Sequence, residues 1–160
     1  MTKAFCLLVC LLLLAACAEA ETEISLPGSR YLLDIPEEMQ YSAPGEGDQG
    51  IHAWFSDSLE MDYACYPWSA LFQPGEEQTL MTLAQLRTDG GFDVEIRDVR
   101  GIEMLVFRVT DETDGTPGIG YLFRDGNWAA EIYFWYATQE AADLTETIIL
   151  SIHEGQPSSP

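Results

Sequence analysis

Positive charge is scarce in this sequence. Lys3 is the only lysine, and six arginines stand against 27 acidic residues, all of which follow residue 17. The formal net charge of the chain is −20. Binding to nucleic acid requires Lys and Arg to neutralise phosphates, and adhesion to anionic lipid head groups also requires basic residues. The composition therefore argues against both ligands. It is compatible with a basic partner, with divalent cations, or simply with high solubility.

Cysteine is also sparse once its distribution is considered. Three of the four cysteines, Cys6, Cys10 and Cys17, lie in or directly after the apolar N-terminal segment, which leaves Cys65 alone in the remainder of the chain. A secreted domain with one cysteine has no disulfide of its own and must be stabilised by its core. We expect Cys65 to be a small buried apolar residue, because no basic group lies beside it in sequence to lower its pKa.

Motifs for catalysis and for cofactors are missing. The chain has no Gly-x-Ser-x-Gly or P-loop motif and no Gly-x-Gly-x-x-Gly that leads from a strand into a helix, and His52 and His153 are its only histidines. The loop Asp111–Gly115 is the best candidate for calcium, but it lacks the alternating ligands and the final Glu of an EF-hand. The sequence thus predicts no catalytic, cofactor-binding or metal-ligating residue. A pair of catalytic carboxylates stays open, because so acidic a chain does not reveal one by counting.

The N-terminus has the pattern of a leader. Residues 4–16 carry no charge, and their apolar core is shorter than the roughly 20 residues that a bilayer span requires. Leu14-Ala15-Ala16-Cys17 resembles a bacterial lipobox. We therefore expect residues 1–16 to be a lipoprotein signal peptide, Cys17 to be lipidated, and residues 17–23 to be a short tether. An alternative cleavage after Ala20 would give a secreted protein.

Residues 24–153 are expected to form one domain, followed by a disordered tail over 154–160. Alternating apolar residues and turn signals predict strands over 30–36, 50–55, 59–66, 94–99, 102–110, 118–123 and 128–136, with helices over 76–88 and 137–152. The strand at 102–110 is apolar on both faces, so we expect it to be covered on both sides. This order predicts an α+β fold with a central antiparallel sheet of about six to seven strands, covered by two main helices.

Three segments carry a resemblance to a known family. They are Tyr31–Glu37, an opening strand that ends in Pro-Glu, Asp125–Trp128, which precedes an aromatic strand, and Ile148–Ile152, which resembles a terminal helix. The chain is similar to PsbP/Mog1-like domains, which occur in many small bacterial lipoproteins. The resemblance implies an α/β/α sandwich and a role in binding proteins, such as photosystem subunits or a small GTPase. It implies no catalytic residue.

The aromatic residues suggest where a partner could bind. Tyr66, Trp68 and Phe72 lie near a proline-containing loop and are a candidate partner surface. The sequence therefore favours a non-catalytic accessory module, held by lipid on the extracytoplasmic face of a bacterial membrane and bound to a protein of the cell envelope. The alternatives are an envelope hydrolase that uses carboxylates, or a binder of divalent cations or another small ligand.

Overall fold

The computed structural model describes residues 20–45 and 50–155, which form two antiparallel sheets and two α-helices. The larger sheet has the strand order β3-β4-β5-β9-β8-β7-β6. Its strands are β3 (Gln40–Ser42), β4 (His52–Phe55), β5 (Leu59–Pro67), β6 (Val94–Val99), β7 (Ile102–Thr110), β8 (Pro117–Asp125) and β9 (Trp128–Tyr136). The smaller sheet consists of β1 (Glu21–Ser25), β2 (Tyr31–Pro36) and β10 (His153–Glu154), and the helices are α1 (Leu80–Asp89) and α2 (Gln139–Leu150). The predicted α+β fold with a central antiparallel sheet is confirmed.

Strands β6, β7 and β9 have the bounds that their apolar patterns predicted. The β6–β7 connection is a two-residue loop, with Arg100 at φ 55° and Gly101 at φ 86°. Two positive φ angles in succession are the geometry of a type I′ hairpin turn, whose twist matches that of the flanking strands. On β7, Leu105 and Val106 are both buried although they point to opposite faces. The prediction that this strand is covered on both sides is therefore confirmed.

Helix α1 begins four residues later than the expected Glu76. The side chain of Thr79 accepts a hydrogen bond from the Thr82 amide and so caps the helix. Glu76 lies in the preceding turn, where its carboxylate accepts a hydrogen bond from the amide of Gln73 at 2.7 Å. Glu76 therefore stabilises this turn and not the helix N-terminus.

Both expected ends of the domain fall inside strands. Glu21 pairs with Pro36 at the start of β1, so the segment assigned to the tether contributes residues to the smaller sheet. At the other end, Glu154 of β10 pairs with Tyr31, so the sheet includes the first residue of the expected tail. Neither strand was predicted from the sequence, because β1 is polar and largely exposed and β10 has two residues.

The larger sheet has an apolar core on each face. The main core lies between that sheet, α2 and the smaller sheet, and includes Tyr63, Tyr121 and Phe134. The second core lies on the opposite face under α1 and a short 3₁₀ turn, Trp68–Leu71, and includes Leu83 and Phe107. Each fully buried large side chain contributes about 1.5–3 kcal/mol of transfer free energy. Within the described ranges, neither helix is long and apolar enough to cross a membrane.

Candidate functional site

A groove of about 360 Å³ lies on the face of the larger sheet that α1 covers only in part. Strands β5 and β9 are neighbours, and alternate side chains along each strand share a face. The groove is lined from β5 by Asp62, Ala64 and Tyr66, and from β9 by Glu131, Tyr133 and Trp135. The residues between them point into the main core. The sheet thus presents a polar and aromatic face beside α1.

Glu131 is the most buried charged residue of the groove, with 9% of its surface exposed. Its Oε1 accepts hydrogen bonds at 2.9 Å from Arg87 Nη2 of α1 and from the Tyr133 hydroxyl. Its Oε2 accepts one at 2.5 Å from the Tyr66 hydroxyl. A buried carboxylate is tolerated when it is paired and its oxygens are hydrogen-bonded, as here. Glu131 therefore holds α1 and the two tyrosines in place.

The two tyrosines are strong donors only while they keep their protons. Burial, reinforced by the Glu131 carboxylate, raises the pKa of Tyr133 to about 12. The same two causes raise the pKa of Tyr66 even further above its usual value. Both hydroxyls therefore stay protonated and donate to Glu131 at neutral pH.

Asp62 is bound differently from Glu131. Its Oδ2 accepts a hydrogen bond from Trp135 Nε1 at 3.0 Å, and no ion pair joins Asp62 to a cation among the residues described. Burial raises the pKa of Asp62, although the indole hydrogen bond opposes the rise. Burial, and then the charge of Asp62, also raise the pKa of Glu60 on the same strand face. The groove therefore holds partly desolvated negative charge that no arginine of the described chain neutralises.

The aromatic part of the groove is ordered by packing. The rings of Tyr133 and Trp135 are nearly parallel, with centroids 6.0 Å apart and planes at 7°. Across the sheet, Gly118 of β8 is paired with Trp135. A Cβ at Gly118 would lie 2.7 Å from the indole ring, so only glycine leaves room for this ring position. The stacked rings and the carboxylate of Asp62 together suit a cation better than a neutral apolar ligand.

Comparison with known proteins supports the architecture. Neither the protein-family models nor the curated proteins give a match to the chain. A crystal structure from Bacteroides thetaiotaomicron VPI-5482 is similar, with a TM-score of 0.57 and 12% identity over 86% of this chain. The solution structure of cyanobacterial PsbP (CyanoP) from Synechocystis sp. PCC 6803 has a TM-score of 0.57 and 11% identity over 85% of this chain and 93% of its own. The fold is PsbP-like.

That likeness concerns the fold alone, because both identities are low. The chain spans about half the length of the Bacteroides protein, 49% of which is matched. The likeness assigns no role to any residue of the groove. The chemistry of the groove rests on the side chains of this chain.

The structure moves two of the three aromatic residues expected at a partner surface into the core. Trp68 is 2% exposed and Phe72 is 9% exposed, and both pack in the second core. The 3₁₀ turn that follows Pro67 folds the rings back onto the sheet, and Trp68 Nε1 donates to the backbone oxygen of Gln78 at 3.2 Å. The prediction that Trp68 and Phe72 form an exposed partner surface is therefore wrong. Tyr66 alone of the three lines the groove.

Sequence reasoning missed Asp62, Glu131, Tyr133 and Trp135 as a group. Asp62 and Trp135 are 73 residues apart and meet only because β5 pairs with β9. The alternation along each strand indicated that Asp62 shares a face with Tyr66. No feature of the sequence showed which strand would lie beside them.

The two histidines, Cys65 and the candidate calcium loop lie outside the groove lining. His52 Nδ1 lies 2.7 Å from the Tyr41 hydroxyl, and His153 Nε2 lies 3.1 Å from Glu23 Oε2. Cys65 is half-buried and forms no disulfide within the described ranges. Asp111 accepts hydrogen bonds from the amide and hydroxyl of Thr113, which lower its pKa.

No group of three His, Cys, Asp or Glu side chains suited to a metal occurs in residues 20–45 and 50–155. Cys17 and the lipobox lie outside the described residues, so lipidation at Cys17 stays a prediction.

Proposed function

We propose that this protein is a lipid-anchored, extracytoplasmic accessory module that docks a protein partner through the groove on β5 and β9. The observation that supports this proposal most strongly is the environment of Asp62. This carboxylate is partly buried beside stacked aromatic rings, with no cation of the described chain next to it. Burying charge without a counter-ion costs stability. Natural proteins keep such costs at sites where a ligand compensates them.

The arrangement favours binding over hydrolysis. Hydrolysis by two carboxylates needs two groups that are free to exchange protons with a substrate. Both oxygens of Glu131 are occupied by Arg87 and two tyrosines. Among the described carboxylates that line the groove, Asp62 is thus the one with an oxygen left to contact a ligand, whereas Glu60 on the same strand face lies outside the lining. A carboxylate of this kind beside an aromatic wall suits the binding of a ligand.

The position of β1 bears on the membrane attachment. Three residues separate Cys17 from Glu21, where β1 begins, and this length of extended chain spans at most about 14 Å between the two Cα atoms. A lipid on Cys17 would hold the domain directly at the bilayer surface. The acidic surface is repelled by anionic head groups, so the lipid would be the whole of the attachment.

Site-specific photo-crosslinking in the source bacterium tests the docking role. A photoreactive amino acid replaces Ala64, which lines the groove, and as a control Asp143, which is exposed on α2 at the opposite face of the larger sheet. We expect one discrete adduct from position 64 and none of that mass from position 143. The same adducts from both positions, or none from position 64, would contradict docking at the groove.

A further inference from the structure

We infer that the groove binds an arginine side chain from a basic segment of the partner, with the guanidinium held by Asp62 and in contact with the aromatic wall that Tyr133 and Trp135 form. This inference rests on the proposed function and specifies the chemistry of the partner. The charges of the groove, its aromatic rings, and the contacts of Arg87 beside the groove support it.

Some carboxylates of the chain are neutralised by arginines of the chain and others are not. Arg87 pairs with Glu131 at 2.9 Å, and Arg97 pairs with Glu146 at 3.0 Å. Asp62 receives one hydrogen bond, from an indole N–H, and its Oδ1 accepts none within the described ranges. Glu60 adds a second negative charge on the same strand face. A ligand that neutralises this face must bring its own positive charge.

The neighbouring contact of Arg87 shows which cation fits. The Arg87 guanidinium lies 4.0 Å from the centroid of the Phe107 ring while it donates to Glu131. A planar guanidinium thus stacks on an aromatic ring and pairs with a carboxylate on this same face of the sheet. The groove repeats the aromatic wall and the carboxylate, as Tyr133, Trp135 and Asp62, but without the arginine. A compact, strongly hydrated ammonium stacks less well than a guanidinium, so arginine is the preferred partner residue.

General attraction must be separated from specific binding. A chain with a net charge of −20 attracts any basic peptide, and this attraction is spread over the whole surface. A specific contact depends on one carboxylate, whereas general attraction depends on the total charge. The test therefore compares variants that lose the same charge at different places.

The experiment uses the protein without its leader, the probe being an acetylated and amidated Gly/Ser peptide with two arginines. A matched peptide carries citrulline, a neutral isostere, in place of arginine. Binding is followed by NMR at physiological salt through the tryptophan indole N–H resonances. Trp135 donates to Asp62, whereas Trp128 is 48% exposed and points to the other face of the sheet. We expect the arginine peptide to shift the Trp135 resonance and to leave the Trp128 resonance unchanged. The citrulline peptide should shift neither resonance.

Two variants locate the charge that matters. We expect Asp62→Asn to weaken the affinity for the arginine peptide by about 10-fold or more, the usual cost of losing a charge-assisted hydrogen bond. Asp143→Asn removes the same charge from α2 and should change the affinity by about 2-fold or less, as screened surface charges do. Equal weakening by both variants would mean general attraction only and would overturn the inference. An unchanged Trp135 resonance would also overturn it.

The two proposals can fail separately. An adduct at position 64 in cells, together with no response to the arginine peptide, would leave docking intact and refute the arginine chemistry. A response to the peptide without any adduct in cells would support the chemistry of the groove and contradict the docking role. Thermal unfolding of both Asn variants verifies that each is folded before binding is compared.

Discussion

Gly120 of β8 lies directly against the ring of Phe107 on the neighbouring strand β7, and a Cβ on this glycine would overlap the ring. Phe107 in turn supports the Arg87 guanidinium and meets the ring of Tyr133 edge-on, with centroids 5.6 Å apart. One missing methyl group therefore determines where an aromatic ring, an arginine and one wall of the groove lie. Tight packing transmits such a constraint, because interiors leave few voids to absorb a displaced ring.

Gly120→Ala should destabilise the domain by about 1–3 kcal/mol, the usual cost of overpacking a core. The measurement is urea unfolding followed by tryptophan fluorescence. Phe107→Leu removes the ring that the new methyl group would strike, so the double variant should cost less than the sum of the two single variants. Strictly additive costs would contradict the steric coupling between the two positions.

Glu131→Gln should cost about 1–3 kcal/mol, because it leaves the half-buried Arg87 without its counter-ion. It should also lower the pKa of Tyr133 from about 12, yet leave that pKa above the usual value, since burial is the larger cause and remains. Absorbance titration of the tyrosinate band measures this, with Tyr133→Phe to assign the signal. Glu146→Gln breaks the more exposed pair with Arg97 and should cost below about 1 kcal/mol.

Asp62→Asn should raise the melting temperature at neutral pH by about 1–3 °C, because screened charges of this kind contribute below about 1 kcal/mol. Burial raises the folded-state pKa of Asp62 above that of the unfolded chain, so the charged form costs stability above the folded pKa. As the pH falls through that pKa, the folded wild type takes up a proton and regains stability. The advantage of Asn should therefore vanish below about pH 4. A gain that persisted there would mean that Asn acts by packing.

Trp68→Ala should destabilise the domain by about 3–5 kcal/mol, as truncation of a buried tryptophan does. The reason is its place in the second core, where 2% of its surface is exposed. Trp128→Ala is the matched control, because Trp128 is 48% exposed and should cost about 1 kcal/mol or less. Chemical unfolding measures both. Similar costs for the two variants would contradict the assignment of Trp68 to the core.

Cys17→Ala should release the protein from membranes in a folded form. The change removes the predicted acceptor of the lipid and leaves every described residue of the domain untouched. Fractionation of cells that express each form, with immunodetection of the protein, measures the distribution. Cys65→Ala is the control, since it removes a thiol without affecting the lipobox, and it should stay with the membranes. A Cys17→Ala protein that remained membrane-bound after removal of its leader would contradict lipidation as the attachment.

Much of the fold could be read from local patterns. The strands at Val94–Val99, Ile102–Thr110 and Trp128–Tyr136 were predicted with their observed bounds, because alternation and tight turns are encoded by neighbouring residues. The polar strand β1 was missed, since nothing in Glu21–Ser25 distinguishes a paired strand from an acidic tether. Its pairing is decided by β2, a partner that no window of adjacent residues contains.

The candidate site was the part that the sequence did not predict. Tyr66, Trp68 and Phe72 were grouped because they are close in sequence, and the 3₁₀ turn after Pro67 separated them by burying the latter two. The groove joins residues of β5 and β9, whose cross-strand order follows from the whole sheet. Local propensity does not decide which strand lies beside another, because that choice depends on the packing of both faces at once.

The sequence by itself determined the acidic balance, the class of fold and the alternation that gives each strand two distinct faces. These properties depend on residues close together in the chain. Only the tertiary structure decided that Asp62 would lie beside Trp135 with no cation from residues 20–45 or 50–155 next to it, that Arg87 would neutralise Glu131, and that Trp68 would be buried. The reason is physical: burial and charge pairing are properties of three-dimensional neighbours, and here those neighbours come from strands and a helix far apart in the sequence.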